Sequence, residues 1–132
     1  MSANRFETSP AFKSALAAVT HVYRLTATLP PDEKSGLIGA MRKSVTGVPP
    51  LIAHLWEADE FDPAQKATDS AHALLRDCLA QAVIANHLGY LSRHQIADLR
   101  KRLAKVDFNI EALLDGLFED FDDDPLSLAD AA

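Results

Sequence analysis

Two histidines, each three residues from a carboxylate, are the first places in this chain where chemistry could reside. Asp69-x-x-His72 and His54-x-x-Glu57 each set an imidazole and a carboxylate one helical turn apart. Helical bundles hold metals with that spacing, but a di-iron site needs Glu-x-x-His on two helices plus further carboxylates. Neither pair has that order, and the apolar faces offer no carboxylates to complete a ligand set. Both histidines read as surface or interface residues, and neither a metal nor another cofactor is expected.

The remaining reactive types read the same way. Cys78 lies on an apolar stripe between Leu74-Leu75 and Ala82. It lacks the electropositive neighbours that turn a thiol into a nucleophile, so a buried, inert thiol is the expectation. Gly36-x-x-Gly39 lacks the Lys-Ser/Thr pair and the preceding strand of a phosphate loop. No Ser/His/Asp arrangement is visible, and no enzymatic activity is expected.

Basic residues form the other candidate set. Arg42 and Lys43, with Arg93, Arg100, Lys101, Arg102 and Lys105, could line up as a phosphate-contacting stripe. Such residues also solvate helix faces, often paired with acids four positions away. The formal net charge of −6 disfavours non-specific binding to nucleic acid. That charge is uneven. Residues 1–45 carry six Lys/Arg against three Asp/Glu, whereas Glu119, Asp120, Asp122, Asp123 and Asp124 crowd into six positions near the end.

The elements that must position these residues are all helical. With 132 residues, 48% apolar and 24% charged, the chain is sized for one globular domain with a real core. A single cysteine precludes an internal disulfide and suits a reducing compartment. The N-terminus has no signal-like apolar run, and nothing approaches the roughly 20 apolar residues of a membrane span. The expected location is cytoplasmic, with no membrane association.

After a polar lead-in at 1–8, Ser9-Pro10 starts a helix to about residue 28, with Phe12, Ala15, Leu16, Val19, Val22, Tyr23 and Thr26 at helical spacing. Asp32-Glu33 opens a second helix over 32–58, interrupted by Gly36, Gly39, Gly47 and Pro49-Pro50. The proline pair predicts a kink or short break around Thr46–Pro49, since an interior proline removes a donor and clashes with the preceding turn. Small residues there would let a neighbouring helix approach closely.

Asp62-Pro63, with Asp62 as cap and Gln65 completing a capping box, predicts a third helix over 63–88 that Gly89 ends. Ala67, Ala71, Leu74, Leu75, Cys78, Ala82, Ala85 and Leu88 form its expected buried face. Ser92 and Gln95 make another capping box, opening a fourth helix over 92–120. Its stripe of Ile96, Leu99, Leu103, Val106, Ile110, Leu113 and Leu117 alternates three and four like a coiled-coil seam. Four such segments joined by short connections predict an all-α, antiparallel up-down-up-down four-helix bundle over 9–121, its second helix kinked at Pro49-Pro50. Residues 122–132 are expected to be a frayed acidic tail. Trp56, Phe108, Leu114, Phe118 and Phe121 are apolar surface beyond what one core consumes, and so candidates for a subunit interface.

Several stretches together resemble a known family. They are Val22-Tyr23-Arg24-Leu25-Thr26 with Leu29-Pro30, Glu33 with Gly36-Leu37, Met41-Arg42-Lys43, Val48-Pro49 with Ile52-Ala53, and Leu88-Gly89-Tyr90-Leu91-Ser92. In order and spacing they resemble the four-helix bundle proteins first noticed in intervening sequences of bacterial large-subunit ribosomal RNA genes. The resemblance implies an antiparallel bundle and, for some members, a five-membered ring. It also implies kinship with the accessory variability determinant of diversity-generating retroelements, a basic ring that binds a reverse transcriptase and nucleic acid. The family's polar segment is altered here: Ala40, Gly47, Leu51, His54 and Leu55 stand where it carries glutamine, serine, asparagine, glutamate and glycine. Asp77 matches its helix-three glutamate in charge. Two functions are thus expected: a non-enzymatic homo-oligomeric scaffold with protein partners, or an accessory subunit that binds nucleic acid.

Overall fold

The computed structural model describes residues 5–119. Phe121 and the acidic segment 122–132 lie outside the described residues. Among the described residues every regular element is helical. A 3₁₀ turn at Phe6–Thr8 precedes α1 (Pro10–Thr26), and Phe6 lies edge-on to Phe12 at 5.0 Å. The Ser9 hydroxyl accepts the Phe12 N–H at 3.1 Å, satisfying one of the helix's unpaired donors. Proline then follows at the first position, where its missing N–H costs nothing.

The second helix is not one rod. A 3₁₀ turn, Pro31–Glu33, leads into a wide turn at Lys34–Ile38, where Gly36 leaves helical geometry at φ −104°, ψ −113°. The Glu33 carboxylate accepts the Leu37 N–H at 3.2 Å, capping the helical turn that begins there. Then come α2 (Gly39–Thr46) and α3 (Val48–Glu57), divided at Gly47. The expected break around Thr46–Pro49 is therefore present, just ahead of the proline pair. The break falls at Gly47, and both prolines sit in the first turn of α3, where N–H groups have no intrahelical acceptor to lose. Gly47 also meets the third long helix closely: a Cβ there would stand 2.8 Å from Leu74 Cδ1. The small residue serves close packing at this position.

α4 (Phe61–His87) starts two residues before the expected Pro63. Glu60, not Asp62, is the N-cap, and no side chain caps it; Gln65 instead donates to Asp69 at 3.0 Å. Its C-terminus closes as predicted. Gly89 takes φ +85°, Tyr90 N–H donates to Ala85 O at 2.9 Å, and Gly89 N–H to Asn86 O at 3.0 Å, a Schellman turn. α5 (Arg93–Leu117) opens with the predicted Ser92/Gln95 capping box.

Contacts between named residues give the helix directions. Asn109 donates to Pro10 O and Ser14 Oγ, while His21 lies near Asp98, so α1 and α5 run oppositely. Arg42 reaches back to Thr26 and Tyr23 across the first connection, and His72 meets Asp107 and Glu111 across the last. α1 and α4 each pack against both α5 and the divided second helix. The result is a four-helix bundle in which α1 and α5 are antiparallel.

The core differs from the expected stripes in instructive ways. In α1 the buried positions are Ala11, Ala15, Ala18, Val22, Leu25 and Thr26, while Leu16 and Tyr23 are left largely exposed. Alanines let the helix backbones close in, and the larger side chains fall to the margins. In α4 the buried line is Ala64, Thr68, Ala71, Leu75, Cys78, Ala82 and Ala85, and Leu88 is half exposed. In α5 it runs Leu99, Leu103, Val106, Ile110 and then Leu114, at 4% exposure, against 38% for Leu117. An α-helix drifts about 20° per heptad from a 3.5-residue repeat, so the strict seam cannot persist to the end of an unsupercoiled helix. This moves Leu114 from the expected interface set into the core.

Candidate interaction surfaces

Arg42 was a candidate phosphate contact, yet its side chain is engaged within the chain. Nε donates to Thr26 Oγ1 at 2.8 Å, an Nη donates to Tyr23 O at 3.3 Å, and the guanidinium carbon lies 4.4 Å from the Tyr23 ring centroid. Thr26, fully buried, passes its own proton to Val22 O at 2.7 Å. The group satisfies carbonyls at the end of α1 and ties α2 to it.

The other basic candidates separate. Arg102 pairs with Asp98 one turn earlier at 3.1 Å. With Lys105 it borders α1 beside Ser14, Ala17 and Ala18. Arg100 lies on the opposite flank of α5, facing α4 across a groove of about 330 Å³ that Arg76 also lines. Lys43, Arg93 and Lys101 are exposed, Lys43 on a different helix from the others. No single basic stripe results.

His72 bridges α4 to α5, a relation that neither helix's spacing disclosed. Nδ1 bonds Asp107 and Nε2 lies 2.8 Å from Glu111 Oε1. Burial works against the imidazolium, but the bonds and charges of the two carboxylates outweigh it, and the His72 pKa is raised. With both nitrogens taken, the cluster is a charge clasp; among the described residues no His, Cys, Asp or Glu group is arranged for a metal. The only sequence signal was Asp107 and Glu111 one turn apart. His21 is the converse case: burial lowers its pKa, Arg102 and Arg24 add to this, and Asp98 opposes it. Its Nε2 lies 3.3 Å from Asp98, near enough for attraction but not aligned as a hydrogen bond. Cys78 is buried, and burial pushes its pKa up to about 12.

The expected interface residues also divide. Trp56 is half-buried and lines a pocket of about 220 Å³ with Pro10, Asn109 and Leu113. Phe118 packs on the core, edge-on to Phe61 at 5.5 Å. Phe108 alone stands out, 73% exposed. Exposed large apolar residues not anticipated are Leu16 and Tyr23 on α1, Phe61, Val83 and Ile84 on α4, Leu88 just past its end, and Leu117 on α5.

The molecule is an all-α four-helix bundle whose second helix is divided at a glycine, with its conspicuous side chains held in structural contacts. The family model described as 23S rRNA-intervening sequence protein matches residues 7–112, and the chain belongs to that family. No curated protein matches it. Among the described residues, no helix is long and apolar enough to cross a membrane.

Proposed function

We propose that the protein is a non-catalytic, self-associating scaffold that acts through protein partners, in the ring form that the resemblance implies. One observation carries the reading: two unlike apolar patches flank the second helix. Leu16 and Tyr23, seven residues apart on α1, form one, 47% and 42% exposed. Ile84 on α4 and Leu88 just past its end form the other, 46% and 51% exposed. Tyr23 lies beside Arg42 of α2. Leu88 stands two heptads from Leu74, the residue that faces Gly47. Patches on opposite sides of one layer make head-to-tail contacts, and such contacts close into rings when the rotation permits. The reactive side chains support the absence of catalysis: His72 is saturated by carboxylates and the Cys78 thiol is buried.

Native mass spectrometry tests this. The expected mass is a multiple of 14.4 kDa, five chains for each ring that the resemblance implies and a whole number of such rings where rings pair. Leu16→Glu and Leu88→Glu should each break it. An equimolar mixture of the two should gain one head-to-tail contact and so double the mass that either variant shows alone, because one chain keeps each patch. A monomeric wild-type protein at micromolar concentration would overturn the reading.

The accessory-subunit reading, with nucleic acid as partner, loses two of its basic residues to internal pairs, Arg42 with Thr26 and Arg102 with Asp98. Steeply salt-dependent RNA or DNA binding by the exposed remainder would restore it.

A further inference from the structure

We infer that the outward face of α5 is a second self-association surface, on which a second copy packs antiparallel so that each Phe108 enters the groove between α4 and α5 of the other. The inference builds on the self-association proposed above but uses a separate contact, on the side of the molecule away from the divided helix.

The first observation is a knob beside a hole. Phe108 is the most exposed of the large apolar residues and points away from the core line of Leu103, Val106 and Ile110. One turn earlier, about 6 Å along the helix, Ala104 opens onto the groove of about 330 Å³. Leu75, Leu79 and Leu103 give that groove its apolar lining, and Arg76 and Arg100 stand at it from the two helices. Because knob and hole share one face, they suit a two-fold contact in which each copy supplies both, and such a contact closes at two.

The second observation is charge. Read outward along α5, the face runs from Arg100 and Lys101 through Ala104 and Phe108 to Glu111 and Asp115. Reversing a copy about a point between Ala104 and Phe108 sets large against small and base against acid: Phe108 opposite Ala104, Lys101 opposite Glu111. Among the described residues, none of Arg76, Arg100 and Lys101 has an ion pair within its own chain. Glu111 spends Oε1 on His72 and is half exposed, which leaves an oxygen for the partner. A parallel arrangement would instead bring like charges together. Complementary charge of this kind fixes register and orientation.

The contact is read most cleanly where the other patches are disabled. Leu88→Glu protein should run as a pair of chains in native mass spectrometry, and adding Phe108→Glu should halve that mass. Phe108→Leu should retain the pair, and raising salt should weaken it. Phe108 is exposed, so all variants should keep wild-type helicity by circular dichroism. If Leu88→Glu leaves the assembly unchanged, the ring reading fails, and Phe108→Glu in the wild-type background then tests the pairing alone. A self-associating wild type whose mass Phe108→Glu does not lower would overturn the pairing and leave the scaffold reading standing.

Discussion

Arg42 lies over the ring of Tyr23, its guanidinium carbon 4.4 Å from the centroid, while its Nε holds the buried hydroxyl of Thr26. Residues 16 and 19 positions apart in sequence are thereby joined where α1 ends and the divided helix returns. Replacing Arg42 by alanine should destabilise the fold by about 1–3 kcal/mol, from the lost charged hydrogen bonds and the cation–π contact. Arg42→Lys should recover only part, because an ammonium cannot fork to Thr26 and Tyr23 as a guanidinium does. Urea unfolding followed at 222 nm measures both.

His72 makes stability depend on pH in a definite direction. Its pKa is raised in the folded state, so the folded protein binds its proton more tightly than the unfolded chain does. The stabilisation is full below about 6.5, the ordinary histidine value, and is lost as pH rises through the higher folded value. His21, with its pKa lowered, acts oppositely and gains stability as pH rises. The melting temperature of His72→Gln protein should therefore rise, or stay level, between pH 5.5 and 7.5. Wild type should fall relative to it. A constant difference between the two curves across that range would count against the clasp.

The core register of α5 can be checked by two truncations. Leu114→Ala removes a side chain that is 4% exposed and should cost about 2–4 kcal/mol. Leu117→Ala, at 38% exposure, should cost less than about 1 kcal/mol. A strict heptad seam would reverse that order.

Cys78 should be silent in the native protein. The thiol is buried and its pKa is pushed up to about 12, so almost no thiolate forms near neutral pH. Ellman's reagent should show no reactive thiol before denaturation and one afterwards. Rapid labelling in the folded state would mean that α4 opens readily.

The helices and their order were legible in the chain because the signals are local. Ser9-Pro10, the Ser92/Gln95 box and Gly89 each act within a few residues of themselves, and backbone sterics and unpaired N–H groups settle their geometry. The break in the second helix was legible too, to within Thr46–Pro49, but the role of its prolines was not. Prolines in a first turn are indistinguishable in sequence from prolines in a helix interior until the turn's start is known.

Tertiary structure decided what each face meets. Periodicity favoured the largest apolar residues as core, yet α1 buries Ala11, Ala15 and Ala18 and leaves Leu16 and Tyr23 outside. That choice depends on how closely another helix approaches, which no single helix encodes. The same holds for the polar candidates. Arg42 looked like a phosphate contact and became an internal tie, while His72 looked incidental and became the bridge to Asp107 and Glu111. Capping and periodicity are properties of one segment, so sequence alone determined them. Burial and pairing are properties of two, so they awaited the packing of the bundle.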